Sequence, residues 1–114
     1  MRIIKVADFI PNAFSNDQAE VLKGEIEKLL NIEDKIVIDF EGITKYTTLF
    51  FNFSTGYFIN RLGKDKYDSI FEIRNLNPLG ESTYNHSYNN SIRDELKSDY
   101  IREKIWDILN STND

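Results

Sequence analysis

Apolar and polar positions follow two rhythms along this chain, and the switches between them mark its elements. Ile3, Ile4 and Val6 form a short β-prone run that is over by Pro11. Ser15 then stands as a helix N-cap, with Gln18 at the third helical position of a capping box and Asp17 in the first turn. Ala19, Leu22, Ile26, Leu29 and Leu30 follow at helical spacing, while Glu20, Lys23, Glu25, Glu27 and Lys28 fill the solvent face. This predicts an amphipathic helix over Asn16–Asn31. Lys35–Phe40 returns to the strand rhythm. Its consecutive β-branched residues Ile36, Val37 and Ile38 suit a strand covered on both faces.

Past Glu41-Gly42 the pattern predicts a second helix from Thr48 to Leu62, with Gly63 placed as the C′ glycine that ends it. Leu49, Phe50, Phe51, Phe53, Tyr57, Phe58, Ile59 and Leu62 leave little of its circumference polar, so it reads as a core helix buried on more than one side. Phe51, Phe58 and Leu62 are the side chains that would meet a partner if part of that surface were open. Asn52, Ser54, Thr55 and Gly56 mark its smaller, more polar patches. Tyr67–Asn75, with Ile70, Phe71 and Ile73, reads as a third strand. Pro78 and Gly80 break the pattern. Tyr84, Tyr88, Ile92 and Leu96 then recur every fourth residue, which predicts a helix over Ser82–Lys97. Ser98-Asp99 would cap a short last helix holding Ile101, Ile105, Trp106 and Leu109, and Ser111–Asp114 should fray.

The resulting order, β-α-β-α-β-α-α, predicts a small α/β domain whose parallel strands are joined by right-handed crossovers and covered by helices. A sheet of three strands is small, which leaves room for a short extra strand or a contact between copies of the chain. No repeat or linker divides the 114 residues, so one domain over 1–114 is expected.

Composition narrows the function classes. The chain has no cysteine, hence no disulfide framework, thiolate nucleophile or cysteine metal site. The opening MRIIKVADFI is too short and interrupted for a signal peptide, and no apolar run approaches the roughly 20 residues of a membrane helix. A net charge of −5, with basic residues scattered among acidic ones, opposes general nucleic-acid binding. A cytoplasmic protein with protein or small-molecule partners is expected, with no membrane or nucleic-acid partner and no metal or cofactor.

Candidate chemistry begins at Asp39, an acid at the end of an apolar strand. A nucleotide hydrolase would also need a phosphate-cradling glycine loop, and none is present. Asp39 and Glu41 lie two apart and share a side in extended backbone, but no second cluster completes an acid–base site. His86 is the only histidine, and its neighbour Ser87 points elsewhere on a helix, so no triad forms and no enzyme is expected. Ser82–Ser91, STYNHSYNNS, is rich in hydrogen-bonding side chains. It offers a polar face centred on Thr83, Asn85, His86 and Asn89, of which Asn85, His86 and Asn89 could join Asp39, Thr47 and Thr48 in a small-ligand or nucleotide-binding sensor, if that helix approaches the loop. Thr47 and Thr48 suit helix capping; the sharper reading is phosphorylation, which adds about two charges at a helix start.

Two stretches resemble the STAS-like domain family of unknown function and, more distantly, the STAS domain of anti-sigma factor antagonists. SNDQAEVL at Ser15–Leu22 is similar to the family's first-helix opening, and VIDFEGI at Val37–Ile43 is similar to its pattern of apolar strand, Asp, Phe or Leu, any residue, Gly, apolar. The resemblance spans about Ile3–Phe71. It implies a βα sandwich and a non-enzymatic regulatory role in protein–protein interaction, with a histidine-kinase-like ATPase or an anti-sigma-type regulator as partner. In the antagonists the loop after this strand enters a helix at a Ser or Thr that a partner kinase phosphorylates, and alignment through Asp39 and Gly42 puts that position on Thr48. The antagonists carry an acid before it and a serine and glycine after it, where this chain has Thr47, Leu49 and Phe50. An apolar residue followed by Phe is instead similar to the STAS-like branch, so the resemblance implies a partner-binding loop of Glu41, Thr47 and Thr48, with Thr48 as the candidate phosphorylation position, in a protein of bacterial or phage origin.

Overall fold

The structure, a computed structural model, describes residues 1–93. Strands β1 (Arg2–Lys5), β2 (Ile36–Asp39) and β3 (Phe71–Arg74) form one parallel sheet in the order β1-β2-β3. Helices α1 (Asn16–Leu29), α2 (Thr48–Phe53), α3 (Thr55–Leu62) and α4 (Lys64–Ile70) intervene, and residues 78–93 form a further helix, α5, at the end of the described chain. The α/β class is as the order of elements predicts. The last helix expected from Ser98 to Leu109, and the frayed tail 111–114, lie outside the described residues.

Register divides the sheet into two faces. Ile36 pairs with Arg2 and Phe71, and Ile38 with Ile4 and Ile73. Ile4, Ile36, Ile38 and Phe71 are buried in the core with Ala19, Leu22 and Ile26 of α1, Phe50 and Phe51 of α2, and Phe58 and Ile59 of α3. The opposite face carries Ile3, Val37 and Glu72 in one rung and Lys5, Asp39 and Arg74 in the next. Val37 is fully buried there, so β2 is covered on both faces, as its β-branched run requires.

The first helix begins as its sequence demands. Ser15 Oγ accepts from Gln18 N–H at 3.1 Å, and Gln18 Oε1 accepts from the N–H groups of Ser15 and Phe14 at 3.0 Å each. This reciprocal bonding satisfies donors that a helix start leaves orphaned.

Three expectations are corrected. The second helix is not continuous: it breaks at Ser54 (φ −114°, ψ −91°). Ser54 Oγ donates to Phe50 C=O at 2.8 Å and Thr55 Oγ1 to Phe51 C=O at 3.4 Å, local bonds that compete with the helical ladder. The break serves packing, because Phe50, Phe51, Phe58 and Ile59 all become fully buried. The third strand does not start at Tyr67, which lies in α4. Its ring stacks on Phe71 at 4.7 Å between centroids, and its hydroxyl lies 2.8 Å from that of Tyr84. Aromatic contacts with distant residues override a local β preference here. Finally, Pro78 and Gly80 belong inside α5 rather than before it. Asn77 caps the helix, its Oδ1 accepting from Gly80 N–H at 2.7 Å, and Pro78 takes the first helical position, where a missing N–H costs nothing. Gly80 sits where a Cβ would lie 2.8 Å from the Tyr46 ring, so its lack of a side chain lets α5 approach the loop after β2.

Candidate functional site

The loop leaving the central strand is tied at both ends. At its start, Phe40 N–H bonds Arg74 C=O at 2.9 Å, and Asp39 Oδ1 accepts from Glu41 N–H at 2.9 Å and from Asn75 Nδ2 at 2.8 Å. Asn75 adopts left-handed backbone (φ 63°), a conformation Asn tolerates better than most residues. The Asn75 hydrogen bond, then the Glu41 N–H, and more weakly the charges of Lys5 and Arg74 hold the Asp39 carboxyl below its usual range against the opposing effect of burial. Asp39 is thus an ionised brace between the exits of β2 and β3.

At its far end the loop meets the segment before α1. Thr47 N–H bonds Ala13 C=O and Ala13 N–H bonds Lys45 C=O, each at 3.0 Å, an isolated parallel bridge pairing Ala13 with Tyr46. Between these ties the Tyr46 hydroxyl donates to Ile43 C=O at 2.8 Å, and its ring stacks on Phe51 (6.0 Å, 9°). Thr47 is the α2 N-cap. Its Oγ1 accepts from Phe50 N–H at 3.1 Å and donates to Phe14 C=O at 2.6 Å. Both functions of this hydroxyl are therefore in use.

Thr48 differs. It is half-buried, and its hydroxyl bonds no group among the described residues. Beside it Leu49 is 48% exposed and Phe53, one turn on, 46%. Phe14, joined to the loop through Thr47, is 55% exposed. Glu41 is exposed at the other end of the loop. The apolar side chains named from sequence for partner contact are placed otherwise: Phe51 and Phe58 are fully buried, and Leu62 is half-buried against the core. The signal that finds Leu49 and Phe53 is their four-residue spacing, on the side of α2 away from the buried Phe50 and Phe51.

The polar stretch on α5 is divided by its own helical period. Asn85, His86 and Asn89 are exposed. Thr83 Oγ1 donates to the C=O groups of Leu79 (2.8 Å) and Gly80 (3.1 Å) in its own helix. Ser87 and Ser91 are buried against α3, where a Cβ at Gly56 would lie 2.8 Å from Ser91 Oγ and 3.6 Å from Ser87 Oγ. Ser87 Oγ also donates to Asn52 Oδ1 at 2.7 Å. Tyr84 faces Tyr67, and burial pushes its hydroxyl up to about 12.

Two depressions collect parts of the sequence-derived set. Asp39 and Glu41 line one of about 150 Å³ with Lys5, Ala7 and Asp8. Asn85 lines another, of about 560 Å³, with Ile73, Asn75, Leu76, Glu81 and Tyr84. Asn75 links the two through its bond to Asp39. Thr47, Thr48, His86 and Asn89 line neither. Among the described residues no three His, Cys, Asp or Glu side chains are grouped to hold a metal ion, and no helix is long and apolar enough to cross a membrane.

Parallel strands under a helical layer, with a braced loop leading from the central strand into a threonine-capped helix, place the chain among α/β sandwich domains. A family model described as a STAS-like domain of unknown function matches residues 18–81, more than half of the chain, and the chain belongs to that family. The match spans α1 from Gln18, β2, the braced loop, α2 to α4, β3 and the start of α5, and leaves out β1. No curated protein and no solved structure matches it.

Proposed function

We propose that this protein is a non-enzymatic, cytoplasmic regulatory module that binds another protein through the Glu41–Thr48 loop and the first turns of α2. The partner is a histidine-kinase-like ATPase or an anti-sigma-type regulator. The observation that carries this reading is the contrast at the helix start: Thr47 is committed to the fold, whereas the Thr48 hydroxyl bonds no described group and lies beside exposed Leu49, Phe53 and Phe14. Exposed apolar side chains on a braced framework meet a partner with little ordering cost. A phosphate on Thr48 would add about two charges next to that apolar surface and oppose docking.

The test is capture by the tagged protein from its native host, compared among Thr48→Glu, Leu49→Asp and Lys66→Glu, the last an exposed position on α4. Loss of an ATPase partner from the first two and retention by the third is expected. Equal capture by all three overturns the reading.

A second reading, a small-ligand or nucleotide sensor, keeps Asn85 and Asp39 of its expected residues but not His86 and Asn89: Asn85 lines the 560 Å³ depression beside the exit of β3, and Asp39 is tied to it through Asn75. Thermal-shift screening of nucleotides and metabolites tests it, and the absence of any concentration-dependent stabilisation would remove it.

A further inference from the structure

The two outer edges of the sheet differ in what they can pair with. Phe40 N–H bonds Arg74 C=O, so Arg74, and Glu72 by strand alternation, turn their backbone groups towards β2. Ile73 therefore turns its N–H and C=O away from the sheet, where no described group bonds them. On the other edge Arg2 N–H bonds Lys35 C=O, which leaves Ile3 and Lys5 facing outward. An unpaired edge is a template for another strand unless its side chains prevent it.

We propose that a second copy of this chain docks antiparallel along the β3 edge, about a twofold axis at Ile73, joining two three-stranded sheets into one of six strands. In this register Ile73 faces Ile73 of the second copy, and the two exchange both backbone hydrogen bonds. Glu72 then lies directly opposite Arg74 of the second copy, and Arg74 opposite Glu72 of the second copy. Both are non-hydrogen-bonded positions, where side chains approach most closely. Within one protomer Glu72 and Arg74 already pair with each other and stay about half exposed, so both are available to re-pair across the axis. The rung Lys5–Asp39–Arg74, plus–minus–plus across one sheet, continues with the minus of Glu72 from the second copy. The depression lined by Ile73, Leu76 and Tyr84 adjoins the same strand.

The β1 edge offers no such match. The charged side chains of β1, Arg2 and Lys5, are both basic: pairing centred on Lys5 sets that lysine against itself, and pairing centred on Ile3 sets Arg2 against Ile4, so no twofold register brings opposite charges together. Like charges directly opposite each other destabilise a ladder. No pair of opposite charges on β1 thus favours a second copy, whereas on β3 Glu72 and Arg74 match those of a second copy. The docking does not involve the Thr48 surface and is independent of its function.

Sedimentation equilibrium of the full chain across the micromolar range tests the proposal, with an expected rise from 13.4 kDa towards twice that mass. Glu72→Arg and Arg74→Glu each place like charges opposite each other twice per dimer. Each should weaken association about tenfold or more. The double variant Glu72→Arg/Arg74→Glu restores opposite pairing and should restore the dimer. Circular dichroism confirms that each variant is folded, as the exposure of both side chains leads one to expect. A monomer at every concentration, a dimer indifferent to the single reversals, or a double variant that stays monomeric overturns the proposal.

Discussion

Thr47-Thr48 and the Thr83–Ser91 face of α5 are both rich in small polar side chains, yet the fold uses them differently. At Thr47-Thr48 one hydroxyl is spent and its neighbour is left over: Thr47 caps α2 and grips Phe14, while Thr48 bonds nothing described. On α5 the hydroxyls of Ser87 and Ser91 turn inward, and Asn85, His86 and Asn89 turn outward. Small polar residues at four-residue spacing let two helices approach closely, a packing role that composition alone does not distinguish from ligand binding. The chemistry of a side chain therefore says less about its use than the element facing it does.

Substitutions can break this contrast or sharpen it. The largest effect is expected at Gly56, where α3 meets Ser87 and Ser91. Gly56→Leu forces a side chain into contacts of 2.8 Å with Ser91 Oγ and 3.0 Å with Phe51 O. It should cost about 3 kcal/mol in urea unfolding, the upper range for overpacking. A neutral result would mean that the α3–α5 contact is loose and that the α5 serines are not packing residues. Thr47→Val keeps the shape of the cap but removes its hydroxyl, so a loss of about 1 kcal/mol is expected. An effect at Thr48→Val of the same size would erase the difference drawn between the two threonines.

Asp39→Asn probes the brace behind the loop through pH. The folded carboxyl titrates below its ordinary value, so its stabilisation is present above the unfolded value of about 3.9. It is lost as pH falls through the lower folded value. The variant should therefore be less stable than the parent at neutral pH, and the gap should close in acid denaturation curves below the ordinary carboxylate range. A gap independent of pH would show that shape, not charge, matters there. The smallest effects belong to Thr48→Ala and His86→Ala, each expected within about 0.5 kcal/mol. For Thr48→Ala, unchanged stability combined with altered partner capture would sharpen the assignment of that residue to binding rather than folding.

Among the residues expected to matter for function, legibility followed sequence distance. The capping box at Ser15 and Gln18, the strand at Ile36–Asp39 and the N-cap at Thr47 depend on neighbours within a few residues, and a linear reading reaches them. The brace between Asp39 and Asn75 spans 36 positions, and the bond from Ser87 to Asn52 spans 35. Nothing local to either residue announces its partner. The exposed pair Leu49 and Phe53 was hidden for a related reason: an aromatic helix looks uniformly buried until its break at Ser54 settles which side chains turn inward.

By itself the sequence determined the α/β class, the first helix with its cap, the central strand, and Thr47 as a helix-start residue. Each rests on periodicity or on hydrogen bonds closed within one turn, which the chain encodes locally. Tertiary structure alone decided that Tyr67 is helical, that the aromatic helix breaks in two, that Gly80 lets α5 approach Tyr46, and that Thr47 is bonded to Phe14 while the Thr48 hydroxyl bonds no described group. In each case the deciding free energy comes from a contact with a distant element — a ring stack, a helix that needs room, or a carbonyl brought in by another segment. Local propensities of a fraction of a kcal/mol yield to contacts of that size.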